Sequence, residues 1–359
     1  MKRLLLMAKA CDASYLRRRT TMNCHENAVT KRQGKGFAIA KALSRLVAIG
    51  LCAMLGVTGA ARAQEVLILT GTDPSYLPVI VAVEKGLFKK QGVNVTQRIF
   101  PSGADAMLAF KTLRASFVAS AVLPSVILWN DGDAVGVGRL FAAPDYQAAV
   151  VSSSIKSPAD LQGKKIATRL GSSAEFFLYS YLKKHSIDAK QLKILDLSPN
   201  ETLSAFVSGQ IDGFFLWVPY PALAQKAMSD KARILATSRG YFTENIYLTA
   251  NKAFAESNPE TVSKVIRALQ ESIQYTKSNP EDAAAIVARK LRTEPSVVMN
   301  TIQINPFVVG YDEDSARLVD EISQFLHARG KLKTMPRPEK EMFDRRYLRS
   351  VDPALAGGS

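Results

Sequence analysis

From residue 65 onward, short runs rich in β-branched and aromatic residues alternate with stretches whose apolar positions recur every three or four residues. That alternation predicts an α/β protein with a largely parallel sheet. Val66–Thr70 reads as a first buried strand, followed by the loop Gly71–Ser75 and a helix through Val79, Ala82 and Val83 that stops at Gly86. Val93–Phe100 alternates as a second strand. Ala104–Leu113 is expected as a helix, Phe117–Val122 as a third strand, and Pro124 as the opening of another helix. Ser157-Pro158-Ala159-Asp160 has the layout of a helix start, with Ser as N-cap, Pro at the first helical position and Asp reaching back. Further strands are expected at Lys165–Thr168, Lys193–Leu197, Ile211–Trp217, Ile234–Thr237 and Ile246–Ala250. Helices are expected over Ala174–Lys184 and from an Asn200 cap to near Gly209. Beyond Ala250 the pattern turns helical. Asn258-Pro259-Glu260 and Asn279-Pro280-Glu281 read as two N-cap-plus-Pro openings, the first placing Val262, Val265, Ile266, Leu269 and Ile273 on one face. The segment Pro336–Arg349 is strongly charged.

The first 63 residues have a different texture. A basic stretch (Lys31, Arg32, Lys35, Lys41, Arg45) runs into an apolar segment from Leu46 to Ala60 and a small-residue end, Ala61-Arg62-Ala63. This is the layout of a secretory signal peptide with a cleavage site before Gln64. About 15 apolar residues fall short of the roughly 20 that a membrane span needs. The expected working protein is Gln64–Ser359, placed in the periplasm, with residues 1–63 as signal peptide plus N-terminal extension and Met22 as an alternative start.

Removing that segment changes the charge picture. Residues 1–63 hold 12 of the 47 basic and 2 of the 32 acidic residues, so the rest carries a net charge near +5 instead of +15. Nucleic acid therefore drops out as the default partner. All three cysteines (Cys11, Cys24, Cys52) also fall there, which leaves the mature part without a thiol nucleophile, a disulfide or a cysteine zinc site.

Catalytic signatures are absent from the sequence. The mature chain has two histidines, His185 and His327, both near expected helix C-termini, where a cation meets the last carbonyls favourably. There is no nucleophile elbow, zincin motif or Walker loop. Gly136-Val137-Gly138 only echoes a dinucleotide loop, and Asp131-Gly132-Asp133 lacks the remaining oxygens of a calcium loop. No catalytic residue, metal site or cofactor is expected. What recurs is a strand end, a short Ser/Gly loop and a helix start, at Asp73–Tyr76, Pro101–Ala104 and Arg169–Ala174. Helix N-termini offer unpaired N–H groups to a small anion, and in open α/β sheets such loops lie where ligands bind. Arg169 adds a candidate charged contact.

Three runs carry a family resemblance: "SYLPVIVAVEKGLFKKQGVNV" (Ser75–Val95), "ADLQGKKIATRLGSSAEFFLYSYL" (Ala159–Leu182) and "NETLSAFVSGQIDGFFLWVPYPALA" (Asn200–Ala224). They resemble the periplasmic solute-binding proteins of nitrate/sulfonate/taurine-type ABC importers, a group that includes the NMT1/THI5-like binders of pyrimidine precursors. The resemblance implies a two-lobed periplasmic-binding-protein fold of type II, with two hinge strands and a ligand cleft. The lobes would comprise residues 64–150, 151–247 and, returning to the first lobe, 248–359, with hinges near Ala148–Ser152 and Ile246–Ala250. Ser75, Tyr76, Ser102, Gly103, Ala104, Leu123, Arg169, Ser172, Ser173, Ala174 and Trp217 would then bind the ligand. Tyr76 is equally readable as a hydrophobic staple, and Trp217 as a core aromatic. The implied function is capture of a small anion (sulfonate, nitrate or carboxylate) by a monomer that delivers it to membrane permease subunits. A flat heterocycle such as a pyrimidine is the alternative ligand, and a periplasmic sensor the alternative role. An enzyme of thiamine-pyrimidine synthesis would need the cysteine and histidine motifs that this chain lacks. One departure stands out: Arg114-Ala115-Ser116-Phe117 occupies the place where the family pattern has a glycine and an aspartate, as in Gly209-Gln210-Ile211-Asp212.

Overall fold

The computed structural model describes residues 65–304 and 306–357, so the expected signal segment and its cleavage point lie outside the described residues. Eleven strands are described: β1 (Glu65–Thr70), β2 (Asn94–Ile99), β3 (Phe117–Ala121), β4 (Ala134–Ala143), β5 (Gln147–Ser152), β6 (Lys165–Thr168), β7 (Lys193–Asp196), β8 (Gly213–Trp217), β9 (Ala232–Thr237), β10 (Glu244–Asn251) and β11 (Phe307–Gly310). They form two sheets, with strand orders β11-β4-β10-β3-β1-β2 and β7-β6-β8-β5-β9. Numbering only the α-helices of eight or more residues, the layers around them are α1 (Leu77–Glu84), α2 (Gly103–Thr112), α3 (Val122–Asn130), α4 (Ser173–Lys184), α5 (Pro199–Val207), α6 (Tyr220–Met228), α7 (Pro259–Ser278), α8 (Pro280–Leu291), α9 (Pro295–Gln303) and α10 (Glu313–Ala328).

The sheets are mixed, which corrects the expectation of a largely parallel one. β1 pairs in parallel with β2 and β3, and β6 with β7 and β8. β10 runs antiparallel to β3 and β4, and β5 antiparallel to β8 and β9. The reversed strands are the ones that carry the chain between sheets: β4 lies in the first and β5 in the second, β9 in the second and β10 in the first. The passages fall at 144–146 and 238–243, whereas Ala148–Ser152 and Ile246–Ala250 lie inside β5 and β10. This reversal places the starts of β5 and β10 at the same edges as the ends of the parallel strands.

Local chemistry explains most element ends. Ser198, not Asn200, caps α5: its hydroxyl accepts from the Glu201 N–H while the Glu201 carboxylate accepts from the Ser198 N–H. Asn258 and Asn279 do not cap the helices that follow them. Their side-chain amides donate back to the carbonyls of Phe254 and Tyr275, closing the preceding helices. Asp160 accepts from the Ser157 N–H as expected, although the helix it opens is one 3-10 turn, Pro158–Leu161. Arg114 sits at φ 48°, the left-handed region that Gly209 occupies at φ 72° in the equivalent turn. The departure from the family pattern therefore keeps the turn, with an arginine in a conformation that glycine adopts more readily.

Along α7 the five apolar residues of the expected face are all buried. Gly136-Val137-Gly138 belongs to β4, and no nucleotide loop forms there. A Cβ on Gly136 would collide with the rings of both Phe343 and Trp129, the latter at 2.7 Å, so the glycine makes room for the two rings beside the strand.

Candidate ligand site

β1, β3, β6 and β8 all end at one rim, where the loops that follow them turn into helices. There the chain closes over a narrow cavity of about 20 Å³. Ser75, Tyr76, Gly103, Ala104, Ser172 and Ser173 line it, as does Trp217. Seven of the eleven expected site residues are thus brought together. The other four stand off the wall, each with a structural occupation. Ser102 caps α2, its hydroxyl accepting from the Asp105 N–H at 3.1 Å. Leu123 and Ala174 are fully buried near the starts of α3 and α4. Arg169 donates to Asp105 at 2.7 Å and to both oxygens of Asp196 at 3.0 and 3.1 Å, so its charge is already committed.

The α2 and α4 starts do carry the expected donors. Among the described residues, the N–H groups of Gly103, Ala104 and Ser173 have no hydrogen-bond partner, as first-turn groups of a helix must unless something outside it binds them. Both histidines lie elsewhere. His185 follows the last residue of α4 and meets the Tyr241 hydroxyl at 3.0 Å, and His327 is in the last turn of α10.

Tyr76 forms one wall through the close approach of two loops. Its hydroxyl lies where a Cβ on Gly103 would be, so only a glycine at the start of α2 leaves it room. Replacement Gly103→Ala is expected to push the Tyr76 ring out of the wall. Ligand affinity should fall more than tenfold in calorimetric titration, while unfolding stability drops by about 1–3 kcal/mol, the usual range for overpacking.

Six lining residues were not among the expected site residues: Asp73, Ala121, Pro124, Tyr146, Glu244 and Ile246. Asp73 is 4% exposed and caps the 3-10 turn Pro74–Tyr76. Its Oδ1 accepts from the Ser75 N–H at 3.0 Å, from the Ser75 hydroxyl and from the Tyr146 hydroxyl at 2.8 Å. Tyr146 comes from the passage between β4 and β5 and packs edge-on against Phe141. Glu244, 2% exposed, starts β10, and its Oε2 accepts from the Gln147 amide and the Ser173 hydroxyl. Burial pushes the Asp73 carboxyl up to about 6 and the Glu244 carboxyl up to about 7, in each case against the pull of these hydrogen bonds. The Asp73 charge adds to the rise at Glu244. A weak signal for Asp73 existed, since Asp before Pro is a helix-cap pattern. Glu244 gave none: one acid at the edge of an apolar strand reads as solvated.

A family model described as NMT1/THI5 like matches residues 73–283, more than half of the chain. The chain belongs to the NMT1/THI5-like family. Among relatives of this family member is the taurine-binding periplasmic protein of Escherichia coli, 28% identical over 227 residues, which cover 61% of this chain and 69% of the relative. The alkanesulfonate-binding protein SsuA from Xanthomonas axonopodis pv. citri, solved bound to MOPS, superposes with a TM-score of 0.69 at 22% identity, covering 77% of this chain and 97% of that one. The periplasmic nitrate-binding protein NrtA from Synechocystis gives 0.66 at 13% identity, covering 82% and 89%. These likenesses fix the fold as that of periplasmic binding proteins, two lobes with a cleft between them. The named relative is a binding protein.

Proposed function

We propose that this NMT1/THI5-like protein is the periplasmic solute-capturing subunit of an ABC importer, taking a small ligand with an acidic group into the cavity and presenting the closed form to membrane permease subunits. The observation that carries the reading is that Gly103, Ala104 and Ser173, whose N–H groups have no partner among the described residues, line one cavity at the starts of helices packed on different sheets. A sulfonate or carboxylate seated on them would be held by backbone dipoles without a basic side chain. No covalent step is involved. Ligand shifts the population toward the closed form because it touches both lobes only there.

The test is thermal unfolding of Gln64–Ser359 against alkanesulfonates, aminosulfonates, nitrate, small carboxylates and pyrimidines. A ligand at 100 times its dissociation constant adds about 2.7 kcal/mol and shifts the midpoint visibly. A flat response from folded protein across that panel would overturn the reading.

Arg169 acquires a different role from the one expected of it. It reaches from the loop after β6 to Asp105 on α2, so this ion pair ties the two lobes together beside the cavity. Replacement Arg169→Ala should weaken ligand binding roughly fivefold, as about 1 kcal/mol of closed-state preference is lost. Small-angle scattering of the ligand-free variant should show a larger radius of gyration than wild type. Equal radii and equal affinity would remove the latch from the mechanism.

A further inference from the structure

The carboxylates facing this cavity are an unusual lining for an anion site. All three hydrogen bonds to Asp73 end on Oδ1, and both to Glu244 end on Oε2. Glu244 Oε1 is buried without a partner. Glu244 thus keeps one buried oxygen unengaged, Asp73 lines the same cavity, and among the described residues no lysine, arginine or histidine lines it. A buried oxygen with no donor costs free energy unless a ligand brings one. A bare oxyanion brings none and adds like charge. The slot is also narrow, with Tyr76 and Trp217 among its walls. A flat cation with several N–H donors suits both features: its edge can bridge two carboxylate oxygens while its faces lie against aromatic rings.

We propose that the ligand carries a planar nitrogen cation, an amidinium or guanidinium group, which Asp73 and Glu244 hold between them. This rests on the solute-binding reading above and adds to it: the helix starts take the acidic end of the ligand and the carboxylates take the nitrogen end. The acidity of the two groups suits the task, since burial, joined at Glu244 by the Asp73 charge, leaves them poised to lose their protons when a cation arrives.

The experiment is calorimetric titration of Gln64–Ser359 with ethanesulfonate, 2-aminoethanesulfonate and 2-guanidinoethanesulfonate, which share one acidic end, together with methylguanidine, which has none. The guanidino compound is expected to bind at least tenfold tighter than ethanesulfonate and tighter than the amine. Glu244→Gln and Asp73→Asn should each erase most of that preference. Equal affinities across the series, a preference for the plain sulfonate or the ammonium compound, or a guanidino preference unchanged in both variants would overturn the proposal and leave the solute-binding reading standing. Binding of methylguanidine with no gain from the sulfonate would keep the proposal and remove the acid-end assignment. Absence of binding by all four compounds to folded wild type would overturn it, and a flat response to the wider panel as well would remove the solute-binding reading with it.

Discussion

Glu244→Gln is expected to make the protein more stable at pH 8 and to flatten its loss of stability with rising pH. The sign follows from the direction of the shift. In the folded chain the Glu244 carboxyl is raised to about 7 from its ordinary 4.5, and that of Asp73 to about 6 from 3.8. The folded state therefore holds these protons through a pH range in which the unfolded chain has released them. Stability from this source is fully present below about pH 4 and falls as pH rises to about 7. For Glu244 the difference amounts to something on the order of 3 kcal/mol. Glutamine has nearly the same shape, keeps an oxygen for the Ser173 and Gln147 donors, and bears no charge to desolvate. Unfolding midpoints of both proteins between pH 4 and 8.5 decide the matter. Parallel curves would mean that Glu244 is not held in a raised state, and the physical argument about the cavity would lose its basis.

The second large effect concerns the frame behind the site. Trp129, at the end of α3, is fully buried and donates its indole N–H to the Thr249 hydroxyl at 2.9 Å. Its ring meets Tyr247 edge-on at 5.2 Å and Phe343 at 6.0 Å between centroids. Tyr247 and Thr249 lie on β10, the strand that starts with Glu244. Trp129→Ala removes the whole ring, orphans the Thr249 hydroxyl and leaves a cavity beside Gly136, Tyr247 and Phe343. The expected loss is about 3–5 kcal/mol in urea unfolding. Because β10 delivers Glu244, ligand affinity should fall too, even though Trp129 does not line the cavity. A loss below about 1 kcal/mol would mean that the site's frame repacks freely.

The same residues show where sequence reading succeeds and where it stops. Trp129, Gly136, Tyr247 and Phe343 come from four separated segments, and nothing local marks them as one cluster. Gly136-Val137-Gly138 only echoes a dinucleotide loop in sequence; the reason for Gly136 is a pair of neighbouring rings, Phe343 and Trp129, from distant segments. Asn258 and Asn279 carried a cap pattern, yet their side chains turn back to the helices before them, a choice between two nearby partners that sequence spacing leaves open.

The sequence by itself determined the α/β class, the buried face of α7, and the Ser/Gly loops that open α2 and α4. Each depends on a period or on chemistry within a few residues, which the chain spells out locally. Seven expected site residues meet at the cavity for that reason: strand ends followed by helix starts gather at one edge of each sheet, and the two edges face the same cavity. Only the tertiary structure decided the rest. Reversal of β5 and β10 brings Gln147 and Glu244 to that rim from far along the chain, and the passage at 144–146 adds Tyr146. Arg169 found two carboxylates before it could meet a ligand. Whether an acid is solvated or buried depends on what packs over it, and those neighbours are distant in sequence, so the cavity's acidic character could not be read from the chain.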